Sequence, residues 1–239
     1  MPKKELEVEL ISIPNNLLDV IYSACRTCYS ADGAVEIFNN ITPDNEKKLS
    51  LISKVISSGH YSTIEHIQVT YAVNNISRAA THQLVRHRHM SFSQKSQRYV
   101  KEADFDYIIP RDIEKNPELL EQFENFMENT SKFYQKLVEA GIKKEDARSI
   151  LPNACASSIV ISLNLRELIH FANLRLCTRA QLEIRQLAKK MCEEILKREP
   201  WLKSHLVPKC ERLGYCDEDN SCKRMPLKSE VLRTEVSNG

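Results

Sequence analysis

The chain has 239 residues, is 42% hydrophobic and 28% charged, and sets 34 Lys plus Arg against 32 Asp plus Glu for a net charge of +2. That balance excludes binding nucleic acid by bulk charge, so any anion must be met locally. No apolar run spans a bilayer, Met1-Pro2-Lys3-Lys4-Glu5 opens no apolar signal region, and the five glycines point to a cytoplasmic, helix-rich fold with few tight hairpins.

In chain order, residues 6–13 alternate and predict a strand ended by Pro14. Residues 16–29 predict a helix with Leu17, Val20, Ile21 and Ala24 inward. It carries Cys25 and Cys28 as a CxxC without thioredoxin-like surroundings, which reads as small buried thiols. Thr42-Pro43-Asp44-Asn45-Glu46 predicts a helix start, with the helix running to about Ser58 and stopped by Gly59. His60 and His66 bracket a polar junction. Six residues apart, they are not the helical pair a metal would take. Residues 67–73 predict a strand and 77–85 a short helix. After Pro110, residues 111–140 predict one long amphipathic helix, whose stripe of Leu119, Phe123, Phe126, Phe133, Tyr134 and Leu137 is assigned to the core. Residues 144–151 predict a short helix with Arg148 in it, and 155–163 a strand.

Residues 164–175 predict a helix on which Arg166, His170 and Asn173 share a face, with Arg175 half a turn away. Such a helix cannot aim all four side chains at one small ligand, but it could serve two adjacent ones. Residues 180–197 predict a further amphipathic helix. From Pro208 the chain is polar and non-periodic, which predicts a single catalytic domain over 1–207 and a poorly ordered tail over 208–239. Cys210, Cys216 and Cys222 of that tail lack the usual paired zinc spacing, and no metal site is expected.

The densest chemistry lies at Arg86-His87-Arg88-His89-Met90-Ser91-Phe92-Ser93-Gln94-Lys95-Ser96-Gln97-Arg98-Tyr99, inside a stretch without Asp or Glu from Glu65 to Glu102. Arginine forks, serine hydroxyls and backbone amides together suit phosphate. An extended backbone would point Gln94, Ser96 and Arg98 to one side, and Gln83 would share the helical face of Arg86. With Phe92 and Tyr99 as stacking platforms, the same stretch could instead serve a single-strand nucleic-acid module, which the neutral bulk charge disfavours.

Arg86-His87-Arg88, then seven residues, then Ser96 followed by Gln97-Arg98-Tyr99, closely resembles the motif of the flavin-dependent thymidylate synthases. Gly59-His60 with Glu65-His66, and Arg148 with Asn164, Arg166, His170 and Arg175, resemble two further blocks, so the likeness covers roughly residues 6–205. The resemblance implies an α+β fold: a mixed sheet of few strands packed with long helices, assembled as a homotetramer with sites shared between subunits. It implies reductive methylation of dUMP to dTMP, with methylene-tetrahydrofolate as carbon donor and FAD, reduced by NADPH, as hydride carrier.

Carried over by position, Ser62, Arg86, His87, Arg88, Gln94, Asn164, Arg166 and His170 resemble FAD contacts. Gln83, Leu84, Val85, Arg86, Gln94, Lys95, Ser96, Gln97, Arg98 and Arg148 resemble dUMP contacts. Arg175 resembles the residue that meets the uracil edge and stabilises charge there, the catalytic role. Ser96 could be read as a nucleophile, but its neighbours are cations and no histidine at short fixed spacing is set as its base, so phosphate binding is the reading. Gln94 stands where many relatives have glutamate. An amide can still hold a sugar, but not supply negative charge.

Overall fold

The computed structural model describes residues 4–237, with side chains as far as Leu232. The elements are β1 (Glu7–Ser12), α1 (Leu17–Thr27), α2 (Ala34–Asn39), α3 (Asn45–Ser57), β2 (Gln68–Ser77), α4 (Arg78–Leu84), β3 (Ser91–Gln94), α5 (Arg111–Glu114), α6 (Pro117–Glu139), α7 (Lys144–Ala147), β4 (Ala156–Asn164), α8 (Leu165–Arg175), α9 (Leu182–Leu196), α10 (Lys209–Leu213) and α11 (Lys228–Ser237). The sheet runs in the order β1-β2-β4-β3. The α+β, helix-rich class is as expected, and the strands pair antiparallel where a mixed sheet was expected. Contacts divide the chain into two compact units. One comprises the chain through Glu9 with Ala72–Ile161, and the other Leu10–Tyr71 with the chain from Ser162 onward.

In the first unit, α4 starts where Ser77 accepts a hydrogen bond from the Ala80 amide at 3.0 Å. The expected helix over 111–140 is two helices. Asn116 is extended at φ −114° and ψ 105°, because the residue before a proline is pushed out of the helical region. Its side chain then caps α6, accepting from the Glu118 and Leu119 amides at 3.1 and 3.2 Å, and Pro117 fills the first helical position, where its missing N–H costs nothing. The stripe assigned to the core is only partly inward. Met127, Ser131 and Tyr134 are buried, while Leu119, Phe126 and Phe133 are 48%, 59% and 52% exposed. Phe105, Met127 and Cys155 form the centre of this unit's core, with Tyr107, Phe123 and Leu151 against them.

In the second unit, α1 packs on α3 and α8 on α9, burying Ile21, Ile52, Ile56, Leu168, Phe171, Leu187, Met191 and Ile195. Each such side chain contributes about 1.5–3 kcal/mol. The cap of α3 is Asp44, accepting from the Lys47 amide at 2.9 Å. A short carboxylate both reaches that amide and suits the positive helix end, so Thr42 and Pro43 lie outside the helix.

The expected loose tail is folded as far as its side chains are described. Helix α10 packs on α8, Cys216 forms a parallel bridge with Leu227, and Leu206, Pro208 and Cys216 are buried. Asn173 explains this order. Its amide donates to the carbonyls of His205 and Val207 at 3.2 and 2.8 Å, and its oxygen accepts from Arg212 Nε at 2.8 Å. Asn173 is therefore a buried anchor and does not share a ligand-facing surface with Arg166 and His170, which are exposed.

Candidate active site

The candidate residues form two groups, one in each unit. In the first unit, the end of α4 sorts the Arg86–His89 run by burial. Leu84, His87 and Met90 turn inward, while Val85, Arg86, Arg88 and His89 are exposed and Gln83 is half-buried. The turn is held by the His87 amide donating to the Leu84 carbonyl at 3.0 Å and the Met90 amide to the His87 carbonyl at 3.2 Å. Two guanidinium groups thus face solvent from one rigid turn, an arrangement suited to a polyanion.

Beyond β3 the chain is fixed twice. Gln94 Nε2 donates to Thr81 Oγ1 at 3.2 Å. The Lys95 amide donates to the Ser158 carbonyl at 2.9 Å, while the Lys95 carbonyl accepts from Arg78 at 2.8 Å. The backbone then turns instead of running extended, with the Arg98 amide donating to Ser96 Oγ at 3.3 Å and the Tyr99 amide to the Ser96 carbonyl at 3.3 Å. Gln94, Ser96 and Arg98 therefore do not form one extended ladder. The turn gathers what the ladder would have spread. Arg98 meets Glu145 Oε2 at 3.0 Å, and the Glu145 carbonyl accepts from Arg148 Nε at 3.3 Å, so Arg98 and Arg148 both meet residue 145, and Ser96 opens the turn that brings Arg98 there. Gln97 is half-buried on this turn. Tyr99 carries the Arg98 guanidinium 5.7 Å over its ring.

The acid-free stretch is not left unneutralised. Lys95 Nζ lies 2.9 Å from Glu102 Oε1, and the Glu102 side chain is only 6% exposed. The Lys95 side chain thus belongs to the support of the turn. Arg78 is the supporting residue that sequence reasoning passed over. Burial pulls its guanidinium below the ordinary arginine value, Glu102 opposes that shift and Arg148 adds to it. The sequence signal was available, since Arg78 is the first Arg or Lys of the same acid-free run and Glu102 closes it.

In the second unit, Ser62 is exposed on a 3-10 turn, Tyr61–Ile64, that packs on α8. Arg166 hydrogen-bonds and ion-pairs with Glu65 just beyond that turn. Asn164 lies at the cap of α8 rather than inside the helix, accepting from the Glu167 amide at 2.8 Å, and the Leu165 amide donates to the Ile67 carbonyl at 3.0 Å. Arg166 and His170 follow one turn apart, both exposed. Arg175 ends α8 half-buried, and burial pulls its guanidinium below the ordinary arginine value. Its charge is thereby partly desolvated, and a partly desolvated cation acts more strongly on any anion placed beside it.

Comparison with known proteins places the chain in a family. The fold is that of a nucleotide-methylating enzyme of known structure: the UMP/dUMP methylase PolB from Streptomyces cacaoi superposes with a TM-score of 0.71, covering 86% of this chain and 99% of that one at 23% identity. The family model described as thymidylate synthase complementing protein matches residues 9–201. The flavin-dependent thymidylate synthase of Nitratidesulfovibrio vulgaris is 42% identical over 97% of this chain and 100% of its own. That of Pyrococcus abyssi is 42% identical over 89% of this chain and 90% of its own. The chain belongs to the flavin-dependent thymidylate synthase family. No helix among the described residues is long and apolar enough to cross a membrane.

Proposed function

We propose that the chain methylates dUMP to dTMP, with methylene-tetrahydrofolate as carbon donor, FAD as hydride carrier and NADPH as reductant. The observation that carries this is the meeting of Arg98 and Arg148 at residue 145, with Ser96 opening the turn that presents Arg98, together with the earlier turn that exposes Arg86 and Arg88. A nucleotide monophosphate is matched by the first set. A cofactor diphosphate is matched by the second, and the other unit offers Ser62, Asn164, Arg166 and His170 as further polar groups of its own. The donor chemistry fits FAD, since planar, permanently charged guanidinium groups and a hydroxyl are what phosphoryl oxygens select.

Bound FAD supplies the hydride that completes the methyl group. The chain's own residues do the rest. Ser96, Arg98 and Arg148 hold the phosphate, and Gln83 and Gln94 orient the sugar. Arg175 faces the uracil edge, where negative charge develops as carbon 5 attacks the methylene carbon. A fixed, partly desolvated cation lowers the free energy of that state more than that of the ground state. The same reading makes the active species a homotetramer with sites shared between subunits. It is supported by the divergence of Arg166 and Arg175 around α8 and by the exposed apolar residues of α6.

The test is direct. Purified protein should carry a visible flavin spectrum that bleaches with NADPH, and should form dTMP from dUMP only when methylene-tetrahydrofolate is present. Flavin-free protein that forms dTMP, or flavin-loaded protein that does not, would overturn the assignment.

A further inference from the structure

The eight cysteines divide into two sets. Cys25, Cys155 and Cys192 are buried singly, and burial pushes the last two up to about 12, which leaves them inert. Cys28 is exposed, its thiol bonded to the Ala24 carbonyl of its own helix at 3.6 Å. The other four, Cys177, Cys210, Cys216 and Cys222, all line one cavity between the end of α8 and the C-terminal segment.

That convergence is built by the fold. Asn173 clamps the chain at His205, Val207 and Arg212. Gly214, at φ +76°, reverses the backbone between Cys210 and Cys216, a conformation that glycine adopts without strain. The Cys216 amide donates to the Pro226 carbonyl at 2.7 Å and the Lys228 amide to the Cys216 carbonyl at 3.0 Å. These close a loop that returns Cys222 to Thr178, whose hydroxyl meets its thiol. The acids on the cavity wall are engaged: Asp217 pairs with Lys209 and Glu218 with Arg179. The thiols remain as the available ligands. The cavity is small, about 40 Å³, room enough for a single ion or a few waters.

We propose that Cys177, Cys210, Cys216 and Cys222 form a four-thiolate site for one zinc ion, which ties the C-terminal segment to the end of α8. Four sulfur ligands in a closed arrangement are the donor set of a structural zinc centre. The Thr178 hydroxyl and then the Arg224 amide lower the Cys222 thiol. Cys210 is held up by burial and by the neighbouring Cys216 and Cys177, while the Glu211 amide opposes this. A divalent cation removes that mutual repulsion, each thiol losing its proton to solvent as the metal–sulfur bonds form. No three of these sulfurs lie within 4.8 Å of one another, so binding draws all four sulfurs together about the ion.

The experiment uses full-length, untagged protein purified under reducing conditions without chelator. Elemental analysis should find about one zinc per chain. After stripping, Zn²⁺ should rebind in competition with a chromophoric chelator, more weakly as pH falls, because the ligands must lose protons. Co²⁺ should give sulfur-to-cobalt charge transfer and tetrahedral visible bands. Cys210→Ser and Cys216→Ser should each weaken zinc binding by roughly 10-fold or more, while Cys28→Ser leaves it unchanged. If the serine variants fail to fold, the cobalt spectrum of the wild-type protein decides. Reduced protein that neither carries nor takes up zinc overturns the proposal. So does an intact mass showing the four thiols joined as disulfides in protein kept reduced. Flavin content and dTMP formation test the enzymatic reading separately, so the two can fail independently.

Discussion

Arg175 concentrates the proposed chemistry in one side chain. It ends α8, is half-buried, and has its charge made more effective by desolvation. An interaction felt mainly in the transition state appears in turnover more than in binding. Arg175→Ala should therefore lower dTMP formation by roughly 100-fold or more, the scale of a lost oxyanion donor. Lysine should rescue it only partly, since a point charge cannot meet two uracil atoms as a fork does. Flavin content should stay near the wild-type value, because nine residues of helix place Arg175 opposite Arg166. Parallel loss of flavin would make Arg175 a cofactor or structural residue.

Arg98 offers a finer test, because its guanidinium is engaged by Glu145 and a phosphate must displace that exposed carboxylate. Glu145→Gln should lower the KM for dUMP a few-fold with kcat unchanged. A raised KM would mean that Glu145 instead holds Arg98 in place for the substrate.

Among the elements, α8 and the C-terminal segment form the coupling that matters most. Asn173 satisfies two carbonyls and one guanidinium from within a buried site. Asn173→Leu keeps the volume but strands those groups, at about 1–3 kcal/mol. In a chain of this size the thermal midpoint should fall by roughly 2–4 °C for each kcal/mol. Hydrogen exchange should quicken over residues 205–222 and stay unchanged over α1 and α3. An even loss of protection across the chain would show that Asn173 supports the whole unit, not this junction.

For the whole molecule, the exposed face of α6 is the feature a lone chain does not explain. Leu119, Phe126 and Phe133 are large, apolar and about half-exposed, and their seven-residue spacing keeps them on one face. Contiguous apolar surface of this kind marks an interaction site, and a second copy of the chain is the occupant that the proposed homotetramer requires. Phe126→Asp combined with Phe133→Asp should shift the assembly to smaller species in light scattering and lower dTMP formation with it. An assembly unchanged by both substitutions would remove α6 from the interface, and a fully active flavin-bound monomer would remove the tetramer.

The sequence by itself determined what depends on near neighbours. The alternation of residues 6–13 fixed a strand and the acid-free basic stretch marked a candidate anion-binding segment, because side-chain period and local charge are properties of a few consecutive residues. The Arg86-His87-Arg88…Ser96 motif pointed to the family on the same local terms. What the tertiary structure decided was what distant segments do to one another. The break between residues 111 and 140 was local instead, since Asn116 precedes Pro117 and itself caps the second helix. Whether Leu119, Phe126 and Phe133 were core turned on what else was near, which periodicity cannot say. Glu102 and Glu145 neutralise Lys95 and Arg98 only because the chain returns there. Asn173 reads as a ligand-facing polar residue until the carbonyls of 205 and 207 arrive beside it. Cys177 joins Cys210, Cys216 and Cys222 only by folding. Burial and ligand sets are sums over space, and a sequence prints only the order along the chain.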